Sequence, residues 1–312
     1  MRTVALRHLL WAVLASCSSD PNLTDGGIDA ALLDAEAPDA PPADAAPLRD
    51  AGSPDAMVSG ADAGEVACAT NPVELHTSAL ERYFVEISFE GRPAALQLDT
   101  GSSTTFLFQD ATEPPFTPNL GTFTLGCETL PIAGRNLRLL IPDINGREVI
   151  GLLGMDYLLQ KPTRLDIEGG RLERYTERPA ALIASAHASF LFDDVQSHAL
   201  VPLSIDGTSV RLLFDTGGGD TIWIGQNGRP GDREDRVSDA QGTIFSIYTG
   251  TGTITFPGAP PRVVTVARAP RFPYFEDTVR ALGGNLHGLL GVSAFPGEMI
   301  VVVDRTFYLI AR

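Results

Sequence analysis

An Asp-Thr-Gly motif that occurs twice, in matching surroundings, constrains this chain more than any other feature. Residues 98–103 read Leu-Asp-Thr-Gly-Ser-Ser, and residues 214–219, which begin 116 positions later, read Phe-Asp-Thr-Gly-Gly-Gly. Before each motif the sequence alternates apolar and polar residues, turns at residues 90–91 or 206–207, and continues toward the aspartate. A period-two pattern on both sides of a glycine-containing turn is typical of a β-hairpin. We therefore expect each motif aspartate to lie where the second strand of a hairpin ends.

A second pair of matching segments lies downstream of the motifs. Gly-Leu-Leu-Gly occurs within residues 150–156 and again within residues 287–293, and each copy is followed by an aspartate-containing segment and a short closing strand. One Asp-Thr-Gly alone would be a weak signal, whereas two pairs in the same order indicate an internal repeat. The rest of this region consists of short strand-like runs separated by Gly, Pro and Asp turns, without a long amphipathic helix. This pattern predicts an all-β fold.

The repeat resembles the aspartic proteases of the pepsin and retropepsin type, with both lobes in one polypeptide. Asp-Thr-Gly-Ser-Ser resembles the first-lobe signature of pepsin-like enzymes, and the two Gly-Leu-Leu-Gly segments resemble the hydrophobic-hydrophobic-Gly element that supports each catalytic loop. The resemblance implies a bilobal fold of two retropepsin-like β-barrel lobes related by a pseudo-twofold axis. It places the N-terminal lobe at residues 68–176, the connection at residues 177–197 and the C-terminal lobe at residues 198–312.

The two motif aspartates, Asp99 and Asp215, are the predicted catalytic residues of an aspartic-type endopeptidase. Peptide hydrolysis at mild pH needs a base that activates water and an acid that protonates the carbonyl and the leaving amine. Two neighbouring carboxyl groups cannot both ionise easily, so they share one proton and supply both functions. The resemblance implies that the two motif loops meet at the pseudo-twofold axis and bring Asp99 and Asp215 together.

Four further motif residues are expected to support this dyad. Gly101 and Gly217 allow the backbone to approach the carboxyl groups closely. By resemblance, Thr100 and Thr216 cross-link the two loops through hydrogen bonds between hydroxyl and backbone groups.

The two loops differ after the shared Asp-Thr-Gly. Ser102 can donate a hydrogen bond to Asp99 and favour its charged form, whereas the matching Gly218 has no side chain to do this for Asp215. We therefore predict that Asp215 is more often the protonated partner. Asp220, which follows the second motif, is interpreted as a solvated turn residue or, alternatively, as a third acid that shifts the dyad.

A flap that closes over the substrate and excludes water is the other part that such an enzyme needs. Residues 247–253 resemble the tip of a pepsin flap because Tyr248 precedes a glycine-rich turn, although pepsins carry the flap in the first lobe. The corresponding first-lobe stretch, residues 116–140, offers Phe123 and a glycine turn but no tyrosine. Tyr248 is therefore a flap candidate, and an ordinary hairpin tyrosine is the alternative.

The N-terminal segment, residues 1–17, has the features of an export signal. Arg2 and Arg7 give a positive region, residues 9–14 form a short apolar core, and the tetrapeptide Leu-Ala-Ser-Cys ends at Cys17. This tetrapeptide resembles the lipobox of bacterial lipoproteins, in which the cysteine is lipidated and becomes the mature N-terminus. We expect export to the cell envelope, with a lipid anchor in the outer membrane or facing the periplasm. An ordinary signal peptide, or an incorrectly assigned start, is the alternative.

Residues 18–67 are predicted to form a disordered linker rich in Asp, Ala and Pro. The segment contains nine Asp and two Glu but a single Arg, so it carries 11 − 1 = 10 of the 16 net negative charges of the chain. It lacks aromatic residues and a sustained apolar period, and such a segment cannot offset the entropy that is lost on ordering. The prediction is a spacer that holds the folded region away from its anchor.

The cysteines agree with this layout. Taking Cys17 as the lipid site leaves Cys68 and Cys127, and such a pair in an exported protein predicts a disulfide. The disulfide would tie the start of the folded region to the first lobe. Two buried thiols are the alternative.

Other chemistries find little support in the sequence. The histidines lack the spacing of metal ligands, so no metal and no cofactor are expected. The negative charge and the lack of a basic patch argue against nucleic acid. We expect a monomer that meets the membrane only through its lipid and takes a peptide or protein as its substrate. The alternatives are a non-catalytic binding lipoprotein that keeps the fold and, more distantly, a glycosidase that uses the same carboxylates.

Overall fold

A computed structural model describes residues 70–78, 82–108, 121–135, 144–238 and 244–312 of the chain. Strands dominate these residues, which confirms the predicted all-β class. The predicted export signal and linker, and with them Cys17 and Cys68, lie outside the described residues. The strands are β1 (Thr70–Glu74), β2 (His76–Thr77), β3 (Tyr83–Phe89), β4 (Arg92–Leu98), β5 (Phe106–Phe108), β6 (Thr122–Leu125), β7 (Glu128–Pro131), β8 (Ala133–Arg135), β9 (Val149–Leu153), β10 (Thr163–Asp166), β11 (Arg171–Tyr175), β12 (Ala188–Leu191), β13 (Asp193–Val195), β14 (His198–Ile205), β15 (Thr208–Phe214), β16 (Thr221–Ile224), β17 (Arg233–Ser238), β18 (Ile244–Thr255), β19 (Arg262–Ala269), β20 (Gly288–Leu290), β21 (Glu298–Val303) and β22 (Thr306–Ala311).

The helices of the described region are short. They are α1 (Met155–Gln160), α2 (Ala180–Ala184) and α3 (Pro273–Ala281), with one 3₁₀ turn at Val292–Ala294. Proline at the first position of α3 is well tolerated, because the N–H group that it lacks would have no partner within the helix. In the ranges given above, no helix has both the length and the apolar character needed to cross a bilayer.

Two eight-stranded sheets share one pattern of strand pairing. In the first sheet, β3 pairs antiparallel with β4, β4 parallel with β9, β9 antiparallel with β5, and β5 parallel with β8. In the second sheet, β14, β15, β20, β16 and β19 follow one another with the same alternation of directions. The internal repeat predicted from the motifs is therefore present in the strand topology. We call residues 70–175 the first repeat and residues 188–311 the second repeat.

The two hairpins that lead to the motifs have the predicted tight turns. Glu90 and Gly91 join β3 to β4 with φ angles of 50° and 74°, and Asp206 and Gly207 join β14 to β15 with φ angles of 51° and 80°. Two consecutive positive φ angles in a two-residue loop define the turn that best matches the twist of a hairpin. Because this turn fixes the register, each hairpin delivers its aspartate to the same place at the end of its second strand.

The inner faces of the sheets form a continuous apolar core that reaches both motifs. Leu98 and Phe214, which immediately precede the two motif aspartates, belong to one cluster of contacting buried side chains. Leu153 and Leu290 of the two Gly-Leu-Leu-Gly segments belong to the same cluster. The backbone on either side of the motifs is therefore fixed by close packing, which limits the freedom of the loops that follow.

A six-stranded sheet combines strands of both repeats in the order β1-β11-β10-β21-β22-β12. Its two central strands come from different repeats and pair antiparallel, with Thr163 opposite Val302 and Leu165 opposite Ile300. One edge strand, β12, comes from the predicted connection, residues 177–197, which also contains α2 and β13. Much of that connection is thus regular structure, because Ala188 and Phe190 bury alternate side chains in the core.

Candidate active site

The two motif aspartates are held at the ends of their hairpins by the Gly-Leu-Leu-Gly strands. Asp99 follows β4, and its backbone N–H donates to the carbonyl of Leu153 in β9 at 2.9 Å. Asp215 follows β15, and its N–H donates to the carbonyl of Leu290 in β20 at 3.0 Å. β9 and β20 run parallel to β4 and β15, the strands that end at the two aspartates.

Glycine is required in the supporting strands because other backbone lies against them. A Cβ atom on Gly151 would lie 2.2 Å from a carbonyl oxygen of β5, and a Cβ atom on Gly288 would lie 1.9 Å from a carbonyl oxygen of β16. Gly154 and Gly291 pack in the same way against the backbone that follows each motif. Gly151 and Gly288 thus leave room for the neighbouring strand, and Gly154 and Gly291 leave room for the backbone that follows each motif. This close packing explains why Gly-Leu-Leu-Gly accompanies both motifs.

The two motif loops are joined by a reciprocal set of hydrogen bonds. The N–H of Thr100 donates to Oγ1 of Thr216 at 3.0 Å, and the N–H of Thr216 donates to Oγ1 of Thr100 at 2.9 Å. Each hydroxyl also donates to the other motif segment, that of Thr100 to the carbonyl of Phe214 and that of Thr216 to the carbonyl of Leu98. All four bonds are buried, and they are the cross-links that the resemblance predicts for the two threonines.

The cross-linked loops bring the two motif carboxyl groups into contact. Asp99 and Asp215 have no solvent-exposed surface, and their side chains lie within hydrogen-bonding reach of each other. Gly217 lies against this pair, because a Cβ atom there would be 2.7 Å from Cγ of Asp99. One oxygen of each carboxyl, Oδ2, has no hydrogen-bond donor in the described part of the chain. Both of these oxygens are buried.

The hydrogen bond predicted from the Ser102 hydroxyl to Asp99 is wrong. Oγ of Ser102 donates to the carbonyl of Thr104 at 2.8 Å, and it is the backbone N–H of Ser102 that donates to Oδ1 of Asp99, at 3.3 Å. The second loop uses backbone donors as well, since the N–H of Gly217 donates to Oδ1 of Asp215 at 2.8 Å. The tight loop points its amides at the carboxyl groups, and the serine side chain instead closes a local turn.

Burial dominates the protonation of the pair. It raises the pKa of Asp99 to about 6, opposed by the N–H groups of Ser102 and Gly101 and by the positive charge of Arg82. Burial and the negative charge of Asp99 raise the pKa of Asp215 well above its ordinary value, opposed by the N–H groups of Gly217 and Gly218. These directions agree with the prediction that Asp215 is the protonated partner, although the predicted reason, the Ser102 hydroxyl, does not hold.

The sequence analysis did not identify two buried residues near the dyad, Arg82 and His198. They occupy matching positions, each 17 residues before its motif aspartate (99 − 82 = 17 and 215 − 198 = 17). The side chains are 5% and 1% exposed. Burial lowers the pKa of Arg82, and the negative charges of Asp99 and Asp215 act in the opposite direction. The available signal was the repeat itself, because counting back equally from both motifs identifies the pair.

His198 supports the first motif loop from the second repeat. Its ring nitrogen Nδ1 lies 3.2 Å from the carbonyl of Val195, and the ring also hydrogen-bonds the backbone of Gly101. Burial lowers the pKa of His198. Burial therefore disfavours the charged imidazolium at this position.

The glycine-rich turn predicted after Tyr248 does not exist. Residues 247–253 lie inside β18, which pairs with β17 on one side and β19 on the other. Residues 239–243, between β17 and β18 in the sequence, are outside the described residues. Tyr248 therefore lies within a paired strand and not at a flap tip, and its half-buried ring packs against the backbone of Gly228.

The glycines that suggested a turn instead make room for a buried cation. A Cβ atom on Gly250 would lie 1.8 Å from Oδ1 of Asp232, and one on Gly252 would lie 2.8 Å from a methyl group of Val266. Arg268, 1% exposed, donates to Asp232 at 3.0 Å and to the carbonyl of Thr251 at 2.9 Å. The two glycines are thus explained by side chains from other parts of the sequence and not by a turn.

The remaining predicted residues are placed as follows. Asp220 is half-buried at the start of β16, and its backbone packs against Gly291. Cys127 lies in the turn between β6 and β7, where its N–H donates to Oδ1 of Asn71 at 3.0 Å. Because Cys68 lies outside the described residues, the disulfide stays a prediction.

Residues 109–120 and 136–143, which include parts of the predicted first-lobe flap stretch, also lie outside the described residues.

The described residues contain no group of three or more His, Cys, Asp or Glu side chains that could hold a metal ion. No protein-family model matches the chain, and a search of curated proteins finds no match to it either.

Proposed function

We propose that this protein is an aspartic-type endopeptidase of the pepsin and retropepsin kind, in which the two repeats are the two lobes. The observation that carries the proposal is the pair of fully buried carboxyl groups, Asp99 and Asp215, supplied by two loops that exchange threonine hydrogen bonds. The predicted export, the lipid anchor at Cys17 and the monomeric state belong to the same proposal and rest on the sequence.

In the proposed reaction the dyad holds one proton and binds one water between its free oxygens. Asp99, the charged partner, takes a proton from the water, and the water oxygen bonds to the carbonyl carbon of the peptide. Asp215 gives its proton to the carbonyl oxygen. When the resulting diol collapses and its C–N bond breaks, Asp99 gives its proton to the leaving amine and Asp215 takes a proton from a diol hydroxyl, which restores the dyad. The matched positions of the two carboxyl groups suit these paired transfers.

A glycosidase fits the geometry less well. Glycosidases keep their two carboxyl groups about 5 Å or more apart, so that a sugar or a water fits between them. Here the two side chains are within hydrogen-bonding reach of each other, which favours the protease over the glycosidase.

A non-catalytic binding protein that keeps this fold is the second candidate. The observation in its favour is the complete burial of both carboxyl groups, because a substrate could reach them only after some part of the molecule moved. Such movement is what a flap provides in enzymes of this kind. The two candidates therefore differ in turnover and not in architecture.

Cleavage of a mixed peptide library by the full-length protein from pH 3 to 7 separates these candidates. We expect cleavage by the parent protein and a loss of at least about 10³-fold in both Asp99→Asn and Asp215→Asn, because either change removes the shared proton system. Glu90→Gln, which alters an exposed carboxylate at the turn before the first motif, is the matched control and should cleave normally. No cleavage by the folded parent at any pH would support the binding protein, and cleavage by both Asn variants would contradict the proposed dyad.

A further inference from the structure

A side-chain amide close to the dyad is buried without a hydrogen-bond partner. Gln97 lies in β4, two positions before Asp99, and has no solvent-exposed surface. Neither its side-chain oxygen nor its side-chain nitrogen has a partner among the residues that the structure describes. Burying an unpaired amide is unfavourable, so a fully buried one in a folded protein requires an explanation.

Gln97 lies on the face of the sheet that leads to the carboxyl group of Asp99. Leu96 and Leu98, on either side of it, belong to the apolar cluster that reaches both motifs. Because successive side chains of a strand alternate between its faces, Gln97 belongs to the opposite face, and Asp99 is the next residue along that face. Two positions along a strand span about 7 Å. The unpaired amide is therefore a near neighbour of the dyad.

The described neighbours of Gln97 on the adjoining strands are apolar. It lies opposite Phe84 of β3 on one side and opposite Leu152 of β9 on the other. Phe84 packs in a small buried cluster with Ala95 and Val149. An apolar side chain at position 97 would therefore suit these surroundings better than an amide does.

The second repeat has such an apolar side chain at the matching position. Leu213 lies two positions before Asp215, as Gln97 lies two positions before its own aspartate (215 − 213 = 2 and 99 − 97 = 2). It belongs to an apolar cluster that includes Phe272 and Phe275 at the start of α3. Since the two hairpins have the same turn and the same strand pairing, the backbone accepts leucine here. The amide of Gln97 is therefore not needed to build the repeat.

We propose that Gln97 is a specificity-determining residue whose amide pairs with a side-chain amide of the substrate, so that Asn or Gln is preferred beside the cleaved bond. An amide offers two donor hydrogens and an acceptor oxygen, and a second amide complements it through two reciprocal hydrogen bonds. A charged substrate side chain would be costly at a fully buried position. The inference rests on the proposed function, because it concerns the substrate of the same site.

Thermal unfolding of the full-length parent, Gln97→Leu and Gln97→Met tests the state of the amide without a substrate. Both apolar variants should raise the Tm by about 2 °C or more, because they remove a buried amide that has no partner. Leu213→Gln, the reverse change at the matching position, should lower the Tm, because it adds an unpaired amide to an apolar cluster. A Tm that is unchanged or lower in both Gln97 variants would overturn the proposal.

Cleavage of a mixed peptide library by the same proteins tests the preference. The parent should cleave bonds next to Asn or Gln with a kcat/KM at least about 10-fold higher than matched bonds next to Leu, because an apolar side chain leaves the buried amide unpaired. In Gln97→Leu and Gln97→Met this ratio should fall to about one or reverse, while the peptides with Leu are still cleaved.

The outcomes separate this inference from the proposed function. Cleavage by the parent with the same preference in both Gln97 variants would overturn the inference and leave the protease in place. Loss of all cleavage in both folded variants would also overturn it, because Gln97 would then be needed for turnover and not for selection. No cleavage by the folded parent at any pH would overturn the protease, and with it this inference.

Discussion

The two repeats build nearly the same backbone around their aspartates but surround them with different side chains. In both, a hairpin with a tight turn ends at the aspartate, a parallel strand accepts its N–H, and a threonine donates across to the other loop. The differences lie in the side chains, where Arg82 matches His198 and Ser102 matches Gly218. Backbone repetition is what brings two carboxyl groups together, and side-chain asymmetry is what can give them different protonation states.

The largest expected effect tests whether the supporting strands of the two repeats are equally necessary. Gly151→Ala and Gly288→Ala each place a methyl group about where a backbone oxygen already lies, and we expect each to destabilise the fold by about 4 kcal/mol or more. Gly288→Ala should be the more damaging, because Gly288 also has a φ of 152°. Chemical denaturation of the purified proteins measures both losses.

Gly91→Ala and Gly207→Ala are the matched controls, one in each repeat. Both positions have positive φ angles but open space around them. They should cost only about 1 kcal/mol of backbone strain. If Gly151→Ala behaved like Gly91→Ala, the close packing described for the first repeat would be incorrect.

The next effect tests the equivalence of the threonine cross-links. Thr100→Val and Thr216→Val each remove a hydroxyl that donates to one buried carbonyl and accepts from one buried N–H. We expect each change to lower the free energy of unfolding by about 2–3 kcal/mol, because buried groups are left unpaired. Thr100→Ser and Thr216→Ser keep the hydroxyl and should lose far less. A difference of more than about 1 kcal/mol between the two valine variants would show that the cross-links are not equivalent.

The smallest effect separates the two aspartates through the pH dependence of stability. Both have raised pKa values in the folded state, that of Asp99 reaching about 6, so the folded chain binds more protons than the unfolded chain above pH 4. For Asp99 this contribution to stability is present in acid and is lost as pH rises from about 4 through about 6, by on the order of 2 kcal/mol, and for Asp215 the loss continues above pH 6.

Asp215→Asn should remove more of this pH dependence than Asp99→Asn, because the pKa of Asp215 is raised further. Thermal unfolding of the parent and both variants at several pH values between 4 and 7 measures the slopes. Equal slopes in the two variants would contradict the unequal roles assigned to the pair.

Short-range patterns in the sequence predicted the scaffold well. Alternation around residues 90–91 and 206–207 identified both hairpins, because a two-residue turn and a period of two are local properties. The repeat then identified the supporting strands and the two aspartates. The prediction of a turn after Tyr248 was wrong. The glycines there leave room for the side chains of Arg268 and Asp232, which come from other segments of the chain.

The orientation of individual side chains was the other feature that the sequence did not predict. Whether the Ser102 hydroxyl faces Asp99 or the carbonyl of Thr104 depends on the exact path of a tight loop, which no spacing rule supplies. Arg82 was missed because an arginine at the start of a strand is ordinarily solvent-exposed.

The central pair of the six-stranded sheet has a consequence for synthesis of the chain. Residues 163–165 of β10 find their partners only at residues 300–302, which are synthesised much later. Until then β10 presents an unpaired strand edge, and such edges invite association between incomplete chains. We therefore expect chains that stop before residue 298 to aggregate, even though all of the first repeat has been made.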